Sequence, residues 1–267
     1  MSKIKLSKRL ETVASCVSTG GTVADIGCDH GFTSIYLIEN KMARCGIAMD
    51  INKGPLEKAK SHIRQAGLTD KIETRLSNGL DKLESGEADT ILISGMGGAL
   101  IRDILMKEKD KTISAGELVL SPQSEIYLVR RCLHELGFFI DMEKMVFDMG
   151  KYYVVIRAVR KDMMECLGQH NKEVAEINHS GSIINIDETY DEADYVYGKY
   201  LIAAKNDVFA EFLAKEKERM EKVMASLKKS GMSDEEISKQ KIIAEYDLLL
   251  KTICRICLLY TSDAADE

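Results

Sequence analysis

Val23-Ala24-Asp25-Ile26-Gly27-Cys28-Asp29-His30-Gly31 is the stretch whose reading decides the fold. An apolar run enters a turn that contains two glycines and then continues into Phe32-Thr33-Ser34-Ile35, so a strand, a tight turn and a helix follow one another without a spacer. Glycine at such a turn lets the chain adopt a positive φ and lets a ligand lie against bare backbone. A phosphate-binding turn of this kind reads G-x-G-x-x-G, whereas here Asp29 stands where the middle glycine would be. A carboxylate there repels a pyrophosphate and attracts a cation.

Working outward, the first 160 residues alternate apolar runs with amphipathic stretches. The runs are Thr22–Ile26, Gly46–Met49, Ile72–Leu76, Thr90–Ser94 and Leu118–Ser121. After Pro55, Leu56, Ala59, Ile63 and Ala66 share one helical face, and Ile126, Val129, Leu133 and Leu136 repeat in the same way before Gly137. This is the pattern of βα units covering a parallel sheet. Phe138–Phe147 and Tyr152–Val159 are then joined by Asp148-Met149-Gly150-Lys151, which leaves no room for a helix and predicts a hairpin. Five βα units closed by an antiparallel hairpin resemble the seven-stranded, Rossmann-like class I methyltransferase fold more than the six-stranded dinucleotide-binding sheet.

Beyond residue 160 the texture changes. Residues 161–194 are polar and acidic and read as a linker or insertion. Residues 195–257 carry two helical stripes, Phe209, Leu213, Met220, Val223 and Leu227 followed by Ile242, Tyr246, Leu249, Ile253 and Ile256, which predict a coiled-coil-like helical hairpin. Lys228-Lys229 and Gly231 suit the end of the first helix, and Ser233 with Glu236 suits the start of the second. Residues 258–267 leave the stripe without a cap and resemble translated adaptor read-through, so they are read as a non-native tail.

Composition narrows the possibilities. No run approaches the roughly 18 apolar residues needed to span a bilayer, and Met1-Ser2-Lys3-Ile4-Lys5 lacks the apolar core of a signal peptide, so a cytoplasmic protein is expected. The seven cysteines are scattered, and the one close pair, Cys254 and Cys257, has no second pair or nearby histidine, so neither disulfides nor a metal site is expected. The net charge of −6 is uneven: residues 1–160 are slightly basic, while the rest is acidic, notably between Asp187 and Asp194. A basic surface for an anionic partner therefore remains available in the first part.

Candidate site residues cluster at the ends of the strands. S-adenosyl-L-methionine carries a sulfonium and an ammonium but no phosphate, so Asp25 and Asp29 favour it over NAD on charge, with Gly27 and Gly31 keeping the turn open. Asp50 ends the second strand 23 residues after Gly27, the spacing that puts a carboxylate beside ribose hydroxyls in both cofactor classes. Asn78-Gly79 after the third strand can supply an amide and close backbone to an adenine ring, or is a simple turn. Met96 and Gly97, within Ser94-Gly95-Met96-Gly97-Gly98, mark a close approach after the fourth strand, and Ser121-Pro122-Gln123 after the fifth can present an amide to a base edge. His62 and His134 read as helix-surface or packing residues, and His170 and His179 as linker residues. His30, inside the turn, is a candidate for catalysis or substrate positioning.

Leu6-Ser7-Lys8-Arg9-Leu10, the Asp25-to-His30 turn, Asn78-Gly79-Leu80, Gly95-Met96-Gly97-Gly98 and the Ser-Pro-Gln step occur in this order, and together they resemble the bacterial tRNA (adenine-22, N1)-methyltransferase family. The likeness resumes over Gly198–Leu213. It departs at the fifth strand, where Ser121-Pro122-Gln123 replaces a Gln-Pro-Asn form, and at the acidic stretch up to Asp194. The resemblance implies S-adenosyl-L-methionine as cofactor, tRNA as partner and methylation of ring nitrogen 1 of adenine. Asp29 and His30 become the catalytic candidates. Lys8 and Arg9, with Lys3 and Lys5, are then either phosphate contacts or a solvated helix face, and as they stand well before the turn in sequence they are expected not to affect the cofactor. Other readings of the same residues are a methyltransferase for another RNA position, a small molecule or a protein, a noncatalytic RNA-binding protein on the same fold, and an NAD enzyme. The oligomeric state, and whether the helical hairpin meets tRNA or a second copy, stay open.

Overall fold

The computed structural model describes residues 4–160, 189–204, 206–229, 236 and 241–263. The chain forms two compact units, Met1–Ile183 and Ile184–Glu267. Readings that fall on Lys3, His170, His179, Asp187, Gly231 and Ser233 lie outside the described residues.

The first unit is a seven-stranded sheet in the order β3-β2-β1-β4-β5-β7-β6. Its strands are β1 (Thr22–Ile26), β2 (Cys45–Asp50), β3 (Ile72–Leu76), β4 (Thr90–Ser94), β5 (Glu117–Ser121), β6 (Phe138–Asp148) and β7 (Lys151–Arg160). The first five are parallel, and β7 runs antiparallel to both β5 and β6. Strand β1 is paired on both sides, by β2 and β4, so the direction of winding reverses next to it. In open α/β sheets a ligand crevice forms at such a reversal, beyond the carboxyl ends of the strands.

The helices are α1 (Lys8–Ala14), α2 (Phe32–Glu39), α3 (Lys53–Gln65), α4 (Gly98–Lys107), α5 (Lys109–Ser114) and α6 (Ile126–Glu135). Helix α3 starts before Pro55, which occupies its first turn where a missing N–H costs nothing, and it buries Leu56, Ala59 and Ile63 as the periodicity requires. Helix α1, opened by Ser7 whose hydroxyl accepts the Leu10 N–H at 3.3 Å, packs Val13 and Ala14 into the core and lies against β6. The β6–β7 turn has Met149 at φ 47° and Gly150 at φ 82°, the two positive values that a tight hairpin turn matching strand twist demands. The register shifts between Ile140 and Met142, so Asp141 sits in a bulge.

The second unit begins with a π-helical turn, Asp194–Gly198, that runs into α7 (Lys199–Ala203), and continues with α8 (Asp207–Lys229) and α9 (Lys241–Asp263). Helix α8 buries Phe209, Leu213 and Met220, while α9 buries Leu249, Thr252 and Ile256. The Tyr246 hydroxyl, near the start of α9, donates to Glu221, towards the end of α8, at 2.9 Å. The described end of the acidic stretch is packed: Asp194 is 2 % exposed and accepts from Arg255 Nη1 at 2.8 Å, and Lys199 Nζ donates to the Thr189 carbonyl at 2.6 Å. The second helix does not stop at residue 257, because Leu258-Leu259-Tyr260 contains no glycine or proline and the helical backbone continues to Asp263.

One buried ion pair fastens α6 to the hairpin. Arg130 Nε donates to Glu143 Oε1 at 2.7 Å, with both side chains fully excluded from solvent. Removing one partner strands the other charge, whereas an apolar replacement of both removes the desolvation cost together with the attraction. We expect Glu143→Ala to destabilise the protein by about 3–5 kcal/mol in urea unfolding. The Arg130→Met/Glu143→Leu double substitution should recover most of that loss, and equal damage by both would show that the pair acts through shape rather than charge.

Candidate active site

A cleft of about 490 Å³ opens at the carboxyl ends of β1, β2, β3, β4 and β5. Its floor is the turn after β1. The N–H groups of Gly27 and Cys28 both donate to the Met49 carbonyl, at 2.8 and 2.9 Å, which ties the end of β1 to the end of β2. Gly27 takes φ +74°, and a Cβ there would stand 2.4 Å from Met96 Cε, so the methionine of the fourth-strand loop lies over bare backbone.

Three carboxylates face this floor. Asp25 is 4 % exposed and accepts from Ser34 Oγ at 2.7 Å. Burial pushes its carboxyl up to about 6, against the Ser34 hydrogen bond that lowers it, with Asp50 adding a smaller upward push. Asp50 is 7 % exposed, and its two oxygens accept main-chain N–H groups from Asn52 at 2.7 Å and Asp29 at 3.3 Å. Asp29 holds φ 50°, unusual for a residue with a side chain, and its Oδ1 lies 3.6 Å from His30 Nε2. His30 Nδ1 is buried and has no hydrogen-bond partner.

The structure brings Asp25, Gly27, Asp29, His30, Asp50, Asn78, Gly79, Met96, Arg9 and Gln123 to one cleft. Gly31, Gly97, Lys8, Ser121 and Pro122 are not on its wall. Gly31 caps α2 at φ +73°, and a Cβ there would meet Ala59 Cβ at 3.1 Å, so it serves the approach of α2 to α3. Gly97 caps α4, Ser121 and Pro122 are buried behind the cleft, and Lys8 is exposed outside it. The fourth- and fifth-strand loops are laced together, Gly95 N–H to the Ser121 carbonyl at 3.1 Å and Gln123 N–H to the Met96 carbonyl at 2.9 Å, which leaves Gln123 alone of its triplet facing the ligand space.

Arg9 differs most from its expected place. Counting along the chain put it far from the cofactor turn, yet α1 folds back so that its side chain lines the same cleft, with the guanidinium carbon 5.2 Å from the Tyr153 ring centre. His62 likewise is more than a packing residue: its Nδ1 lies 2.9 Å from the His30 carbonyl and its ring stacks on Phe32 at 4.7 Å. Its helical position beside Ala59 and Ile63 was the available signal. Sequence reasoning also missed Leu10, Phe32, Thr33, Asn52, Ser77, Leu100 and Ile104 on the cleft wall. Their types carry no distinctive chemistry, and only the crossing of the strands gathers them.

An acidic, glycine-floored cleft at the winding reversal of a seven-stranded sheet closed by a hairpin defines a class I methyltransferase. A methyltransferase-domain family model matches residues 6–156. Over 95 % of this chain and 98 % of its own length, the tRNA (adenine(22)-N(1))-methyltransferase of Bacillus subtilis (strain 168) is 31 % identical. The chain belongs to the tRNA (adenine(22)-N(1))-methyltransferase family. Among solved structures, the B. subtilis m1A22 tRNA methyltransferase TrmK superposes with a TM-score of 0.75 at 31 % identity, covering 93 % of this chain and 99 % of that one. A Streptococcus pneumoniae protein, Sp1610, solved in complex with S-adenosyl-L-methionine, superposes with a TM-score of 0.72 at 27 % identity, covering 96 % and 99 %.

The raised carboxyl of Asp25 has a measurable consequence without ligand. A folded-state value of about 6 against an ordinary 3.8 means that the native state holds its proton more tightly than the unfolded chain, so stability falls as pH rises from about 4 to about 6 and stays lower above that. Asp25→Asn keeps the acceptor for Ser34 and removes the ionisation. We expect this variant to be more stable than the parent at pH 7, by up to about 3 kcal/mol, with the gap closing as pH is lowered towards 4. A gap independent of pH in thermal melts would show that Asp25 is not the group responsible.

Proposed function

We propose that this protein transfers a methyl group from S-adenosyl-L-methionine to ring nitrogen 1 of adenine 22 in tRNA. The observation that carries the reading is the convergence of Asp25, Asp29, Asp50, Asn78, Met96 and Gln123 in one cleft, in a chain that matches the B. subtilis enzyme over 95 % of its length. The charge in the cleft suits this cofactor: three aspartates face a molecule with a sulfonium and an ammonium, and a pyrophosphate would be repelled. Asp50 holds the ribose hydroxyls, and Asn78 with the bare backbone of Gly79 holds the adenine.

The bound cofactor supplies an electrophilic methyl group, and the protein supplies alignment and a dry site. Ring nitrogen 1 of neutral adenine already carries a lone pair, so no strong base is required for the attack. Positive charge develops on the base as the bond forms, and Asp29, held at the mouth of the turn, stabilises it. His30, beside Asp29 and anchored through its carbonyl by His62, orients that carboxylate and contacts the base. Gln123 presents its amide to the base edge. Because an adenine in folded tRNA is stacked, it is extruded to reach this depth. The exposed Lys5 and Lys8 meet the phosphates outside. None of the described helices is long and apolar enough to cross a membrane, and we place the protein with its tRNA substrate in the cytoplasm.

The direct test incubates unmodified tRNA with isotopically labelled S-adenosyl-L-methionine and maps the product by mass spectrometry. Label is expected on adenine 22, and label elsewhere or on no tRNA would reject the assignment. Asp29→Asn, which keeps size and loses charge, should lower kcat on the order of 10²-fold while tRNA affinity changes little. Equal losses in turnover and affinity would make Asp29 a binding residue.

A further inference from the structure

The tip of the β6–β7 hairpin shows more apolar surface than a turn requires. Phe147 is 37 % exposed and Met149 is 91 % exposed. Phe147 and Tyr152 stand opposite each other in the strand register, which puts both on one face of the hairpin, and their rings lie 4.8 Å apart. Met149, at φ 47°, occupies a turn position where asparagine, aspartate or glycine is the favoured residue. A side chain that is strained in its place and buries almost nothing does not stabilise the folded chain, so its value lies at the surface.

The register of the sheet sets this tip beside the cleft. Ile156 of β7 pairs with Leu120 of β5, and the hairpin runs on past the carboxyl end of β5 to Tyr152. At roughly 3.3 Å per residue the overhang beyond Ser121 is about 10 Å. It lies on the edge of the sheet from which Gln123 reaches the cleft wall. Helix α1 connects the two places: the Arg9 main-chain N–H donates to Asp148 at the tip at 3.0 Å, while the Arg9 side chain lines the cleft. Lys8, the residue before Arg9, and Lys151, opposite Asp148 in the register, are both exposed, so cations flank the two rings.

We propose that Phe147 and Tyr152, with Met149, form a stacking surface for a nucleobase of the tRNA that neighbours the extruded adenine. The inference rests on tRNA being the substrate and names where the protein holds the RNA beside the target base. Extruding one base takes a stacking partner from the next, and an exposed ring close to the cleft mouth replaces it. Stacking needs only the π-face that every base has, so this contact grips the RNA without reading its sequence. Lys8 and Lys151 meet the phosphates on either side of that base. Lysine is depleted where proteins meet proteins, so rings flanked by lysines suit a base joined to phosphates better than the apolar face of another protein.

The test measures binding of unmodified tRNA to the full chain over a range of salt concentrations, together with calorimetry of S-adenosyl-L-methionine. Phe147→Leu keeps an apolar side chain and removes the ring. It should weaken tRNA binding roughly 5- to 100-fold, the size of one base–aromatic stack, and leave both the log–log salt slope and the cofactor affinity as in the parent. Phe147→Trp should restore binding. Met149→Asn suits the positive φ and leaves the core intact, so it should weaken tRNA binding more modestly, and it decides the matter should thermal melts show Phe147→Leu to be unfolded. Parent-like tRNA affinity in the folded variants overturns the proposal. So does a flattened salt slope, which marks a charge contact, or a change of oligomeric state in sedimentation, which gives the surface to a second copy. A parent protein that binds no tRNA rejects the substrate reading itself and this proposal with it.

Discussion

The main-chain N–H groups of Gly27 and Cys28 share the Met49 carbonyl, and the rest of the cleft depends on that tie. Strand β1 is paired along both edges, so its end cannot drift, and sharing one acceptor with β2 forces the chain to turn over the sheet edge instead of continuing past it. The turn follows one residue after Asp25, carries Asp29 and leads directly into α2. Gly27 meets the conformational demand with its positive φ, and the absence of a side chain lets Met96 close over it.

Electrostatics sets the second constraint. Asp25 and Asp50 are buried in a slightly basic half of an acidic chain, and each is held by nearby donors: Ser34 of α2 for Asp25, and the main chain of Asn52 and Asp29 for Asp50. Such donors orient a carboxylate without neutralising it, so the cleft keeps a negative potential in which a cationic ligand is the natural complement. One arginine interrupts this field. Its anchoring residues Asp148 and Tyr153 lie on the hairpin that separates this sheet from a six-stranded dinucleotide-binding one, so the additional strands hold part of the cleft wall as well as the core.

The helical unit follows different rules. Its stripes of Phe209, Leu213 and Met220 against Leu249, Thr252 and Ile256 are ordinary core periodicity, while buried Asp194 with Arg255, and Lys199 capped by the Thr189 carbonyl, lock the start of the unit. These polar pairs pack residues 189–194, the described end of the stretch that reads as acidic linker. Partners from later in the chain satisfy the buried charges, which no reading of the local composition can anticipate.

What the sequence alone determined was the order of elements and the chemical character of the site. Apolar runs of about five residues, Pro55 and the Gly137 stop define the βα units, Met149-Gly150 defines the hairpin, and Asp25, Gly27 and Asp29, with Asp50 at the next strand end, declare an acidic, open site because those properties are local in origin. Tertiary structure decided which residues share the cleft. Gly31 and Gly97 left the wall for helix packing and capping, Ser121 and Pro122 were buried behind Gln123, and Arg9 entered from a helix whose own periodicity speaks only of one face. The physical reason is the crossing of a parallel sheet: strands adjacent in space are separated in the chain by whole helices, so distance along the sequence carries no information about which side chains meet at its carboxyl edge.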